Sequence, residues 1–152
     1  MKQILVYFAI IAAFQIFCST ADSTTPPYDS HAVQDETIYI SREQLDWFDA
    51  KDDCNKNGLT FLSIKSAEDN AAIHEIIKDQ KEEVMIGGYR YGGEQTWRWD
   101  ADKSNLTYTN WSNGEPKDSN EEGKVYCIFL KPTDGQWKSK WCAEIATFLC
   151  QK

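Results

Sequence analysis

Histidine is scarce in this sequence, with two residues in a chain of 152. His31 and His74 lie far apart, and neither stands beside a cysteine. A zinc site needs several His or Cys ligands together, and a cysteine nucleophile needs a neighbouring base. The sequence therefore gives no support to a zinc enzyme or to a Cys-His hydrolase.

Positive charge is also in short supply. Lysine and arginine total 16 against 24 aspartates and glutamates, which gives a formal net charge of −8. Such a chain is repelled by phosphate backbones and by anionic lipid headgroups. We therefore expect neither a nucleic-acid partner nor a membrane-surface partner.

The acidic residues raise the question of a glycosidase, which works through two carboxyl groups. One of the two needs an apolar setting that raises its pKa, and no pair in the sequence has one. We therefore predict no catalytic residues and a binding function.

A single long apolar run, from Ile4 to Phe17, follows Lys2 and ends near the small residues Ser19 and Ala21. It is shorter than the roughly 18 apolar residues that a membrane span needs. This pattern is typical of a secretory signal peptide, predicted here as residues 1–21. Removing Lys2 leaves 15 basic and 24 acidic residues, so the exported chain would carry −9. We therefore expect a secreted, extracellular protein.

Five cysteines become four once Cys18 leaves with the signal peptide. An even number in a small exported domain indicates two disulfides. The remaining cysteines can pair in three ways, and their spacing alone does not choose among them: Cys54, Cys127, Cys142 and Cys150.

The rest of the chain divides into a polar lead-in and one domain. Residues 22–35 are rich in Ser, Thr and Pro and predict a flexible segment, so we place the domain at 36–152. Two helices are predicted, one capped by Asp46 or Ser41 and one by Ser66. Short strands follow, predicted at 37–40, 59–64, 84–86, 97–99, 125–130, 136–138 and 147–150. This order favours an α+β domain, and its long connection from Asp100 to Lys124 is the first place to look for a binding site.

A set of ordered landmarks carries a family resemblance over about residues 36–152. They are Trp47-Phe48-x-Ala50-x-x-x-Cys54, Leu62-x-Ile64, Met85-Ile86-Gly87-Gly88, Trp97-x-Trp99, Asn110-Trp111, Gly114-Glu115-Pro116, Cys127, Gly135-x-Trp137, Cys142 and Cys150. In this order and spacing the sequence resembles the C-type lectin family. The resemblance implies two helices packed on mostly antiparallel strands with a long-loop region. It also implies the short form with two disulfides, Cys54 to Cys150 and Cys127 to Cys142.

The resemblance implies a calcium-dependent sugar site that this sequence has largely lost. Mannose-type members bind the calcium ion through ligands from three places. These are a Glu-Pro-Asn triplet, a Glu two residues before the next cysteine, and an Asn-Asp pair after the tryptophan. Glu115 is kept, but the other four positions hold Lys117, Val125, Lys138 and Ser139. An ammonium group offers no acceptor oxygen for calcium. We therefore predict no metal at the family site.

Two alternatives to the family site remain open. The loop before Cys127 is about two residues longer than the family pattern, and its oxygen donors with Glu115 form a candidate displaced calcium site: Asp118, Glu121 and Glu122, with Asn120 between them. Solvated loop charges are the plainer interpretation. Alternatively, Lys117 and Lys138 take the place of the cation and bind an acidic glycan without metal. The ligand-binding candidates are thus Glu115, Lys117, Asp118, Asn120, Glu121, Glu122 and Lys138.

Tryptophans and glycosylation sequons complete the candidate features. Trp47, Trp97, Trp99, Trp111 and Trp137 fall at positions expected in the core, whereas Trp141 has no assigned place. Asn105 and Asn110 head glycosylation triplets, and Asn105 is favoured because Asn110 adjoins a core tryptophan.

Two functions remain in competition. The first is a secreted lectin in extracellular or immune recognition that binds glycans, with or without calcium. The second is a protein-interaction module that kept the fold and lost sugar binding, and fold alone does not decide between them.

Overall fold

A computed structural model describes residues 27–117 and 121–152. The predicted signal peptide at 1–21, the start of the lead-in at 22–26, and Asp118 and Asn120 lie outside the described residues. The statements below concern the described ranges.

Ten elements form two four-stranded sheets with two helices. In chain order they are β1 (Tyr28–Val33), β2 (Glu36–Ser41), α1 (Trp47–Lys56), β3 (Thr60–Phe61), α2 (Ala67–Ile77), β4 (Val84–Tyr91), β5 (Arg98–Trp99), β6 (Val125–Leu130), β7 (Trp137–Trp141) and β8 (Leu149–Gln151). The first sheet has the order β1-β2-β8-β3 and the second β5-β4-β6-β7. All the strand pairs are antiparallel. The predicted α+β class is confirmed.

Local capping signals define both helices. The Asp46 carboxylate accepts hydrogen bonds from the backbone N–H groups of Phe48 and Asp49, each at 3.0 Å. Ser66 Oγ accepts one from Asp69 N–H at 3.0 Å. Of the two caps predicted for α1, Asp46 is therefore correct, because Ser41 lies in β2 and its hydroxyl instead contacts Glu43 and Phe148.

The prediction of a flexible segment at 22–35 is wrong for residues 28–33, which form β1 and pair with β2 along their full length. The anchor is Tyr28, which is 7 % exposed and whose hydroxyl donates to Asp53 on α1. Arg42 also pairs with Asp29 at 2.6 Å. These long-range partners fix a polar segment that has no apolar pattern of its own, so the ordered domain extends upstream of Glu36.

Most strands differ from prediction only in length. β6 has the predicted bounds, whereas only Thr60–Phe61 of the predicted strand 59–64 pairs in a sheet, although Leu62 and Ile64 are buried. β7 continues to Trp141 instead of ending at Lys138. This extension places the last residues of β7 beside the start of β6, where Tyr126 is opposite Trp141.

The core contains the predicted tryptophans. Trp47, Trp97, Trp99 and Trp137 are buried, and the half-buried Trp111 packs against Trp97 and Trp137 with ring centroids 4.9 and 5.5 Å apart. The core assignment of these five rings is confirmed.

Both predicted disulfides are present. Cys54 to Cys150 joins α1 to β8, and Cys127 to Cys142 joins β6 to the residue after β7. The second bridge fixes the end of β7, which is the edge strand of its sheet, next to the long-loop region.

Candidate functional site

The candidate site lies on one face of β7 where the long loop returns to the sheet. Side chains alternate along a strand, so Trp137, Ser139 and Trp141 share one face and Lys138 and Lys140 share the other. Glu115 reaches the first of these faces from the loop, where it contacts Ser139. The peptide bond between Glu115 and the following Pro116 is cis.

The Glu115 carboxylate is held by β7 and by its own loop. Its Oε2 accepts hydrogen bonds from Ser139 Oγ at 2.6 Å, from Ser139 N–H at 3.0 Å and from Lys117 N–H at 3.1 Å. Lys117 N–H also lies 2.8 Å from Ser139 Oγ, which accepts from it. Ser139 thus closes a small network that fixes the loop to the strand.

This network does not fit the calcium that the fold family implies. Calcium takes six to eight oxygen ligands, and carboxylates supply the charge that holds it. Glu115 uses Oε2 to accept from three protein donors, and the neighbouring positions supply a lysine and a serine where carboxylate and amide ligands are needed. Within residues 27–117 and 121–152 there is also no group of three or more His, Cys, Asp or Glu side chains arranged to hold a metal ion.

Lys138 does not belong to this network, so the prediction that it joins Lys117 in the place of the family's cation is wrong. Its ammonium lies 2.6 Å from Glu83, and Lys140 lies 3.0 Å from the other oxygen of the same carboxylate. Trp137 is buried in the core, and strand alternation therefore directs the next side chain to the opposite face.

The two lysines change the ionisation of Glu83. Partial burial opposes the charged form, but the hydrogen bonds from Lys138 and Lys140 outweigh this effect, and the pKa of the Glu83 carboxyl lies below its ordinary value. Glu83 is therefore a carboxylate shared by two ammonium groups.

Most lysines of the long-loop half are neutralised by ion pairs. The pairs are Lys124 with Glu121, Lys131 with Asp134, Lys138 with Glu83, and Lys140 with Glu83 and Glu144. Lys117 is exposed and has no ion-pair partner among the described residues. Within residues 27–117 and 121–152, the expected positive surface is thus reduced to Lys117, whose backbone N–H contacts Glu115.

Arg90 is a site residue that the sequence analysis missed. It is 2 % exposed, and its guanidinium donates to the backbone oxygens of Glu94 at 3.2 Å and Lys117 at 3.4 Å. The rings of Trp97 and Tyr126 lie 5.3 and 5.7 Å from it. A charged residue inside the otherwise apolar strand Val84–Tyr91 was the available signal. Arg90 gives the underside of the loop a buried positive charge.

The remaining acidic candidates do not meet at Glu115 in the described residues. Glu121 pairs with Lys124, and Glu122 is exposed. Asp118 and Asn120 are outside the described ranges. The displaced calcium site therefore stays a prediction.

A groove on the opposite face of the sheet was not predicted. It has a volume of about 460 Å³, and its lining includes Glu83, Phe129, Lys140 and Ile145. Ile145 is 67 % exposed at the edge of this groove. This face offers a second contact surface, in which apolar and charged side chains are mixed.

The two sequons differ in accessibility. Asn105 is exposed, whereas Asn110 is half-buried and its side-chain amide donates to Gly135 O at 3.0 Å. The described residues contain no helix long and apolar enough to cross a membrane.

Comparisons with known proteins agree with this architecture. Residues 43–152 match the family model described as "Lectin C-type domain". The chain is 32% identical over 148 residues to C-type lectin BfL-2 of Bungarus fasciatus, covering 93% of this chain and 92% of the relative. It is 28% identical over 149 residues to a "C-type lectin mannose-binding isoform" of Oxyuranus scutellatus, with 93% and 91% coverage. Its structure resembles the mouse scavenger receptor C-type lectin carbohydrate-recognition domain, with a TM-score of 0.71, 30% identity, and coverage of 84% and 94%. The chain therefore belongs to the C-type lectin domain family.

Proposed function

We propose that this protein is a secreted, non-enzymatic lectin that binds glycans through the Glu115–Ser139 face of β7 without a calcium ion at that position. The observation that carries the proposal is the Glu115 carboxylate, which accepts three hydrogen bonds from Ser139 and Lys117. Protein donors hold the loop here, so its shape does not depend on a metal.

The family supports the glycan-binding part of the proposal. A relative is named a mannose-binding isoform, and a structural neighbour is named a carbohydrate-recognition domain. Both names are statements about those proteins. The present chain shares their fold, and it presents polar and aromatic side chains on the same long-loop half.

Charge pairing favours a neutral glycan over the acidic one that the lysine count predicted. Lys138 faces Glu83, and Lys124 faces Glu121, so neither offers an uncompensated positive charge. Among the described lysines of this half, Lys117 is the one without an ion-pair partner, and it provides a weak attraction for an anion, because exposed charges are screened over about 8 Å at physiological ionic strength. We therefore expect neutral sugars to bind at least as well as acidic ones.

A protein-interaction function is the second candidate, favoured by the exposed Ile145 beside the groove that contains Glu83 and Lys140. Interface centres are enriched in apolar and aromatic anchors of this kind. This function would use the face opposite Ser139, so the two proposals place their contacts on different sides of β7.

A glycan array tests the choice between them. Purified wild-type protein is applied in calcium and again in excess chelator. The proposal expects binding to neutral glycans in both conditions. Ile145→Asp is the matched variant on the other face, and it should leave the array pattern unchanged. Absence of any glycan signal would contradict the lectin function.

A further inference from the structure

Trp141 is a tryptophan that lies outside the core. Its side chain is 49 % exposed, whereas Trp47, Trp97, Trp99 and Trp137 are each at most 8 % exposed. Exposing half of an indole forgoes the burial that makes large rings favourable in proteins. Because its ring is accessible on a fixed strand, Trp141 is a candidate contact residue.

The position of Trp141 links it to the Glu115 network. It follows Ser139 by two residues on the same strand, which places the two side chains on one face about 7 Å apart along β7. Cys142 comes next and is bridged to Cys127, so the backbone under the ring is fixed by a disulfide. A rigid ring thus adjoins the candidate site.

One ion pair adjoins the ring without adding net charge. Lys124 Nζ lies 5.3 Å from the Trp141 ring centroid and also pairs with the Glu121 carboxylate. The Glu121 backbone comes close enough to Gly92 that a Cβ there would lie 2.0 Å from Glu121 O, so a glycine at 92 permits this loop position. An ammonium donor and a carboxylate acceptor therefore stand together beside an exposed indole.

This combination matches a neutral sugar. One face of a pyranose ring presents C–H groups that pack on an aromatic surface, and its hydroxyls both donate and accept hydrogen bonds. The Lys124–Glu121 pair serves both kinds of hydroxyl contact while carrying no net charge that would favour an ionic ligand. We propose that Trp141 is a stacking platform for a neutral pyranose, with Lys124 and Glu121 as its polar contacts. This inference rests on the proposed lectin function and names the sugar class and the contact residues.

The test titrates full-length secreted protein with methyl glycosides of mannose, galactose, glucose and N-acetylglucosamine, with methyl glucuronide as the acidic comparison. Trp141→Ala should weaken binding of the best neutral glycoside at least about tenfold, as expected when a central aromatic contact is truncated. Trp141→Phe retains an aromatic face and should retain part of the affinity. Tyr91→Ala is the matched control, since Tyr91 is 50 % exposed but lies on the other face of the sheet from Trp141. Arg90 is opposite Tyr126, which is opposite Trp141, so the next side chain, Tyr91, lies on the other face. Near-ultraviolet circular dichroism confirms that each variant is folded.

A second readout uses wild-type protein and needs no substitution of Trp141. In wild-type protein the indole N–H signal of Trp141, followed by NMR, should shift during titration with the neutral glycosides. Unchanged binding in folded Trp141→Ala, or a static Trp141 signal while other residues respond, overturns the stacking platform and leaves the lectin function standing. Failure of wild type to bind any glycan on the array overturns the lectin function, and the platform with it.

Discussion

Ser139 Oγ donates a hydrogen bond to Glu115 Oε2 at 2.6 Å. This contact joins the long loop to the edge strand of the second sheet at the position where the family resemblance implies a calcium ion. Its partner Lys117 N–H completes the network from the loop side. The loop is thereby positioned by hydrogen bonds that are present in the chain itself.

The first prediction concerns calcium. Wild-type protein should bind calcium no more tightly than about 10⁻⁴ to 10⁻³ M, the range of weak extracellular modules, because Glu115 is committed to Ser139. The variant that restores the family ligands combines Lys117→Asn, Val125→Glu, Lys138→Asn and Ser139→Asp. It should gain a calcium-dependent rise in melting temperature that wild type lacks.

Calorimetric titration measures both proteins under identical conditions. Micromolar calcium binding by wild type that is lost in Glu121→Ala or Glu122→Ala would show that the lengthened loop has rebuilt a displaced site.

The local signals in the sequence predicted much of this fold. The largest error in the site, the position of Lys138, is explained by the alternation of side chains along a strand. The caps Asp46 and Ser66 and the strand 125–130 depend on neighbouring residues, so they could be identified from the sequence. The face of Lys138 could also have been inferred, because Trp137 occupies the core side of β7.

Other features depend on partners that are distant in the chain. β1 is held by Tyr28 against Asp53, a separation of 25 residues, and Glu83 meets Lys138 across 55. The Trp141–Lys124 contact likewise forms only when β6 and β7 pair. Sequence patterns do not encode such contacts locally. For this reason the site at Trp141 could be identified only from the three-dimensional arrangement.

The second prediction concerns stability. Removing the Cys54–Cys150 bridge, which closes 96 residues, should lower the free energy of unfolding by about 4 to 5 kcal/mol, and removing the Cys127–Cys142 bridge by about 3 kcal/mol. The larger value approaches the whole stability of a typical domain, about 5 to 15 kcal/mol. Denaturant unfolding of the two double Cys→Ala variants measures this order. A greater loss of unfolding free energy on removing the Cys127–Cys142 bridge, which closes the shorter loop, would contradict the chain-entropy account.

The third prediction concerns glycosylation. Glycopeptide mapping of the secreted protein should find a glycan at Asn105, which is exposed. Asn110 should be unmodified, because its half-buried side-chain amide donates a hydrogen bond to Gly135 O at 3.0 Å. Asn105→Gln should remove the mass heterogeneity and Asn110→Gln should not. A folded protein that carries a glycan at Asn110 would contradict the contact.

The fourth prediction concerns pH. Lys138 and Lys140 hold the pKa of Glu83 below its ordinary value of 4.5, so the folded state favours the carboxylate. This contribution to stability is present above the ordinary pKa and is lost as pH falls through the lowered one. At about pH 7, Glu83→Gln should therefore reduce the free energy of unfolding by about 1 kcal/mol, and the difference from wild type should narrow as pH falls below 4.5 and through the lowered pKa.

Chemical unfolding across this pH range provides the measurement. Glu82→Gln is the control for Glu83→Gln, because Glu82 is exposed and its carboxylate forms no ion pair among the described residues. A wild-type advantage over Glu83→Gln that persists at low pH would indicate packing as the cause in place of ionisation.

The most direct test of metal-independent glycan recognition is a calorimetric titration of wild-type protein with the neutral glycan that binds best on the array, performed once in calcium and once in excess chelator. If protein donors fix Glu115 and the loop, the two dissociation constants should agree within about twofold, and Ser139→Ala should weaken binding in both conditions alike. Binding that disappears in chelator and returns with added calcium would contradict the account.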